Sequence, residues 1–122
     1  VSEQLVLGLN DQTFEGGYSA TKALLSRGIP FRSIFACTDM IALGVLKAFS
    51  EKGIRCPEDV AVISYDNTTF SQMSLPAMTT VDMQAKNLGK QGALMLLDMI
   101  DSKTLTKQKL MLYPKLVVRD ST

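Results

Sequence analysis

Residues 32–67 read RSIFACTDMIALGVLKAFSEKGIRCPEDVAVISYDN. The first six, RSIFAC, have the length and apolar content of a short strand. Ile41, Val45, Ala48 and Phe49 then recur at helical spacing on one face, and Gly53 supplies a C-terminal stop. After Cys-Pro-Glu-Asp, the nearly continuous apolar run DVAVISY (59–65) reads as a parallel strand buried on both faces. Strand, helix and strand in this order make a βαβ unit with a right-handed crossover. Asp39 stands where the first of these strands stops and the helix begins. Two readings are open for it: a helix cap, or a carboxylate facing a ligand.

Working outward, QLVLGL (4–9) reads as another strand that delivers Asn10 and Asp11 into a loop. TFEGGYSATKALLSRG follows as a helix, with Thr13 as cap, Glu15 in the first turn and Gly28 past the end. Its Gly16 and Gly17 lie at the helix start, where they would let a neighbour approach closely. On the other side, DNTTFSQMSLPAM is too polar and broken to be regular, apart from one helical turn around Phe70 to Met73. Met73 and Met78 are expected to be partly exposed there. TTVDM is a short strand leading to a helix over 85–101, on which Leu88, Gly92, Met95, Leu96 and Met99 form a stripe widened by Leu94, Leu97 and Ile100. DSKTLTKQ is a polar loop, and KLMLYPKLVVR a strand interrupted at Pro114. The alternation predicts an α/β fold: an open parallel sheet with helices on both faces.

At 122 residues the chain is the size of one domain. With 13 Lys+Arg against 12 Asp+Glu and no basic run, no nucleic-acid binding is expected of this chain alone. Cys37 and Cys56 lack metal or redox spacing and are expected to be buried free thiols in a reducing compartment, Cys37 as strand packing. No apolar run approaches the roughly 20 residues of a membrane helix, so a soluble chain with no membrane partner is expected. A strand pattern almost at once after Val1 reads as a fragment whose N-terminal part lies elsewhere.

In open parallel sheets, ligands bind outside the carboxyl ends of the strands. Three such ends carry polar groups: Asn10, Asp11 and Gln12; Thr38 and Asp39; Asp66 and Asn67. Carboxylates and amides around one cleft suit a polyhydroxylated ligand, since each pairs with neighbouring hydroxyls. The competing reading makes them caps and turn residues. With no histidine, a Ser-His or Cys-His nucleophile is excluded within the chain. No phosphate-cradling glycine loop, metal cluster or cofactor motif is present either. An α/β enzyme using Asp39 and Asp66 as an acid/base pair is therefore the weaker alternative.

The succession D-x-x-A-x-G (39–44), G-x-x-x-P-E-D-V (53–60), Y-D-N (65–67), L-P-x-x-T-T-V (75–81), L-G (88–89) and V-R-x-S-T (118–122) resembles the C-terminal part of the lactose-repressor (LacI/GalR) family of bacterial transcription regulators. The resemblance implies a periplasmic-binding-protein-like effector domain, with two α/β subdomains joined by three crossing segments, in a cytoplasmic protein that is not an enzyme. By position it implies residues 1–83 as C-terminal subdomain, 84–108 as a crossover helix joining the N-terminal subdomain, and 109–122 as a returning strand. The DNA-binding module would lie outside this chain. It implies ligand contacts at Gln12, Thr38, Asp39, Asp66 and Asn67 for a sugar or small-metabolite effector. It also implies a homodimer interface using Met40, Leu43, Gly44, Lys47, Phe70 and Met73. Thr38 replaces the family's usual Asn, and Ser64 its usual Gly. A transport-type sugar receptor of the same fold is the alternative within this architecture. Deprived of its family partner, helix 85–101 is expected to pack on a neighbouring chain or fold back on its own sheet.

Overall fold

The computed structural model describes residues 3–9, 11–102 and 109–122. The βαβ unit is present as β1 (Ser33–Phe35), α2 (Asp39–Lys52) and β2 (Ala61–Tyr65), preceded by α1 (Phe14–Ser26). A short helix α3 (Thr69–Met73), strand β3 (Thr79–Asp82), helix α4 (Ala85–Ser102) and strand β4 (Lys115–Val117) complete the order. The sheet runs β1-β2-β3-β4. Ile34 pairs with Val62 and Ser64 with Thr80 in parallel register, whereas β4 runs antiparallel to β3 with Val81 opposite Leu116. The sheet is therefore mixed, and only the part of KLMLYPKLVVR beyond Pro114 is strand. Proline has no N–H to give a ladder, so pairing begins after it.

Both main helices are capped as their sequences require. Thr13 Oγ1 accepts from the Gly16 N–H at 3.0 Å and Thr38 Oγ1 from the Ile41 N–H at 3.2 Å. Gly53 closes α2 at φ 68°, a left-handed geometry that suits glycine. The core lies between α2 and the sheet: Ala36, Ile41, Ala42, Val45, Phe49, Val60, Val62 and Met78. Met78, expected at the surface, is fully buried instead. The polar run around it hides a residue that the turn before β3 delivers to the core, where burial stabilises by roughly 1.5–3 kcal/mol.

The α1–α2 contact rests on two glycines. A Cβ on Gly17 would lie 2.3 Å from the Ile41 carbonyl oxygen, and one on Gly44 would lie 2.2 Å from that of Phe14. Each helix thus seats its backbone against the other, and the neighbour expected for the Gly-Gly pair is α2.

Two further expectations fail. Residues 4–9 are not a strand: Glu3–Leu5 form a 3₁₀ turn, Val6 N–H donates to Glu3 O, and Arg27 Nη1 donates to Gln4 O at 2.7 Å. These bonds occupy backbone groups that a ladder would need. Cys37 is exposed and Cys56 half-buried, because β1 ends at Phe35, before the first thiol. Burial pushes the Cys56 thiol pKa up. Of the two packings expected for helix α4, folding back on its own sheet does not occur: Leu88, Leu94, Leu96, Leu97 and Ile100 stay exposed, Ile100 at 62%. The polar loop of DSKTLTKQ falls largely on residues outside those described, as does Asn10.

Candidate functional site

The strand ends converge on two carboxylates with opposite surroundings. Asp39 opens α2 and is fully buried. Its Oδ1 accepts from Ser64 Oγ at 2.6 Å and Thr80 Oγ1 at 2.9 Å; its Oδ2 accepts from the Thr68 N–H at 2.6 Å and Thr68 Oγ1 at 2.7 Å. A carboxylate offers about four lone-pair directions. All of them are used inside the chain, two on each oxygen. The helix N-terminus adds a favourable dipole. The capping role itself belongs to Thr38, not Asp39.

Asp66 is the counterpart. No described residue donates to its carboxylate, and burial, then the charge of Asp39, raises its pKa above the ordinary aspartate range. Its backbone stands at φ 112°, followed by Asn67 at φ 54°. Such geometry in non-glycine residues costs free energy and persists where the surroundings hold it. The Asp66 N–H donates to Val81 O at 3.0 Å and the Asn67 N–H to Thr80 Oγ1 at 3.3 Å. The frame of β2, β3 and the Asp39 hub thus presents one unengaged carboxylate at the sheet's carboxyl edge. Such a group is suited to accept hydrogen bonds from hydroxyls.

The other expected residues divide. Thr38 is half-buried; its oxygen caps α2, and among the described residues none accepts its hydroxyl proton. Asn67 has its amide oxygen taken by Arg119 Nη2 at 2.8 Å. Gln12 sits elsewhere, with Cys37 along a cleft of about 700 Å³ between residues 5–9, α1 and β1. That cleft is lined largely by Leu5, Leu7, Leu9, Leu24 and Ile34, an aliphatic wall ill-suited to a polyhydroxylated ligand. Asp11 accepts from Thr13 Oγ1 at 2.8 Å in the loop before α1. Ser64, noted only as a departure from the family's glycine, turns out to supply a donor to Asp39. Arg119 lay in the terminal V-R-x-S-T stretch with no role assigned, and no local pattern marked it.

Of the residues expected at a dimer interface, Met40, Phe70, Met73 and Lys47 are exposed, Met73 at 75%. Lys47 pairs with Glu51 at 3.2 Å. Leu43 is half-buried against the core. Gly44 is not available to a second copy, since its face is closed by α1. Among the described residues no cluster could hold a metal ion, and no helix is long and apolar enough to cross a membrane.

The family model that matches residues 3–122 describes a periplasmic binding protein-like domain. The chain is 34% identical over 107 residues to the HTH-type transcriptional repressor PurR of Pasteurella multocida (strain Pm70), spanning 88% of this chain and 32% of that repressor. Among solved structures it is similar to the transcriptional regulator CelR in complex with cellobiose, at TM-score 0.91 and 34% identity over 100% of this chain and 37% of that one. It is also similar to a LacI family transcriptional regulator from Arthrobacter sp. FB24 in complex with lactose, at TM-score 0.85 and 30% identity over 92% of this chain and 41% of that one. These relatives are transcriptional regulators, not enzymes. The chain spans about a third of the curated relative's length.

Proposed function

Because this chain belongs to the periplasmic-binding-protein-like domains of LacI-family transcriptional regulators, we propose that it is the effector-binding and dimerisation part of a bacterial, cytoplasmic regulator whose effector is a sugar. The observation that carries the reading is the contrast between the two carboxylates: Asp39 is saturated within the chain, while Asp66 is held in strained backbone with no donor among the described residues. Asp66 accepts from sugar hydroxyls, Thr38 and Asn67 border it, and Asp39 holds the frame without touching the ligand. Gln12 lines the separate aliphatic cleft beside α1 and β1 and takes no part in the Asp66 corner.

The dimer surface is Met40, Phe70 and Met73 with the adjoining Lys47; Leu43 contributes only its outer edge. The exposed apolar stripe of α4 packs on parts of the intact regulator outside these 122 residues, in keeping with residues 84–108 as a crossover to a second subdomain. DNA is contacted by a module outside this chain. Effector binding shifts the balance between subdomain arrangements, and with it the affinity for DNA.

Calorimetric titration of the intact protein with cellobiose and lactose tests this. Asp66→Asn is expected to weaken binding by about tenfold to a hundredfold, a charged hydrogen bond of roughly 1.5–3 kcal/mol having been lost. In the wild type, affinity falls as pH drops through the raised pKa of Asp66, beginning at higher pH than for an ordinary aspartate near ~3.9. Stability responds with the opposite sign. A carboxyl whose pKa is raised by folding binds more protons folded than unfolded, so its contribution declines as pH rises through that window, and Asp66→Asn is stabilising at neutral pH. Unchanged affinity in Asp66→Asn would overturn the assignment.

A further inference from the structure

We infer that Arg119 is a positioning residue for the effector site, fixing the Asn67 carboxamide beside Asp66 so that only its N–H₂ end is offered to a ligand. This rests on the sugar-binding reading of the Asp66 corner.

The guanidinium is anchored before it reaches Asn67. Nη1 donates to Met78 O at 2.7 Å and to Ser71 Oγ at 3.3 Å, and both Met78 and Ser71 are fully buried. The Arg119 N–H donates to Thr79 Oγ1 at 2.9 Å. Two residues on, buried Ser121 donates from Oγ to Val62 O at 2.6 Å and accepts from the Thr79 N–H at 2.8 Å, which pins the segment between β2 and β3. The terminal V-R-x-S-T stretch therefore has two parts: Ser121 seats the chain in the sheet, and Arg119 reaches from that seat to Asn67, 52 residues away in sequence.

Chemistry fixes the sense of the contact. Arginine has only donors, so Asn67 must turn its oxygen to the guanidinium. The remaining N–H₂ is a donor, beside a carboxylate that only accepts. A hydroxyl can satisfy both at once, donating to Asp66 and accepting from Asn67. Without Arg119 the carboxamide is free to rotate by half a turn and offer a second acceptor, which a hydroxyl oxygen cannot use. Asn67 also sits at φ 54°, a backbone state that depends on bonds such as this one to persist.

The test combines a binding cycle with hydrogen exchange on the intact protein. For whichever of cellobiose and lactose binds the wild type, Arg119→Ala is expected to weaken affinity by about tenfold. In an Asn67→Ala background the same change is expected to weaken it by less than about twofold, because the residue it acts through is gone. Arg119→Lys, which keeps the charge but not the fork, is expected to fall between. Equal losses in both backgrounds, or none in either, would overturn the inference. If neither sugar binds the wild type, the sugar reading fails, and exchange decides Arg119 alone. About tenfold faster exchange at the Asn67 and Thr68 N–H groups in Arg119→Ala, with α2 unchanged, supports the positioning role. Unaltered exchange at those two groups overturns it.

Discussion

Replacing Asp39 with alanine is expected to lower the unfolding free energy by about 4 kcal/mol, because the buried Ser64 and Thr80 hydroxyls and the half-buried Thr68 N–H and hydroxyl lose their acceptor together. Asp39→Asn is expected to cost only about 1–2 kcal/mol. The amide oxygen can keep the Thr68 N–H and hydroxyl, while the Ser64 and Thr80 hydroxyls rotate to accept from the new N–H₂ group. Urea denaturation of the intact protein measures both changes. A residue whose business was with the ligand would give the reverse pattern: little change in stability and a large loss of sugar affinity in Asp39→Asn. That pattern would return Asp39 to the ligand shell and undo the division of labour between the two carboxylates.

Gly44→Ala sets two effects of opposite sign against each other. Helix propensity alone favours alanine by about 1 kcal/mol in mid-helix. Packing opposes it, since the new Cβ would lie 2.2 Å from Phe14 O and 2.5 Å from the Tyr18 N, both backbone atoms that cannot swing aside. Moving α1 off α2 is expected to cost about 3 kcal/mol, so the net change is destabilising by about 2 kcal/mol. Gly92→Ala in α4 provides the control, with nothing within 4 Å of its Cβ position. It is expected to stabilise by about 0.5–1 kcal/mol. Denaturation midpoints that moved in the same direction for both variants would contradict the tight α1–α2 contact.

The elements whose signal is local were legible in the sequence. The βαβ unit followed from a helical face at Ile41, Val45, Ala48 and Phe49 between two apolar runs, and the caps Thr13 and Gly53 fell where their side-chain chemistry requires. What escaped depends on distant partners. The donors to Asp39 lie 25 to 41 residues away along the chain, so nothing near it distinguishes a saturated carboxylate from an open one. Leu5, Leu7 and Leu9 alternate as a strand would, but the same spacing also suits a wall against α1 and β1, and the turn bonds at Glu3 and Gln4 decide between them. Gly44 carried a small-residue signal that fits a dimer contact or a helix crossing equally well until α1 is placed. The α4 stripe was readable in full, yet a sequence pattern specifies that a face is apolar and not what covers it.

The most direct test is a crystal structure of the intact protein with its bound sugar. The predicted result is a sugar hydroxyl within hydrogen-bond distance of the Asp66 carboxylate, with Asp39 still accepting from Ser64, Thr68 and Thr80 and touching no ligand atom. A sugar bonded to Asp39, or seated away from Asp66, would contradict the account.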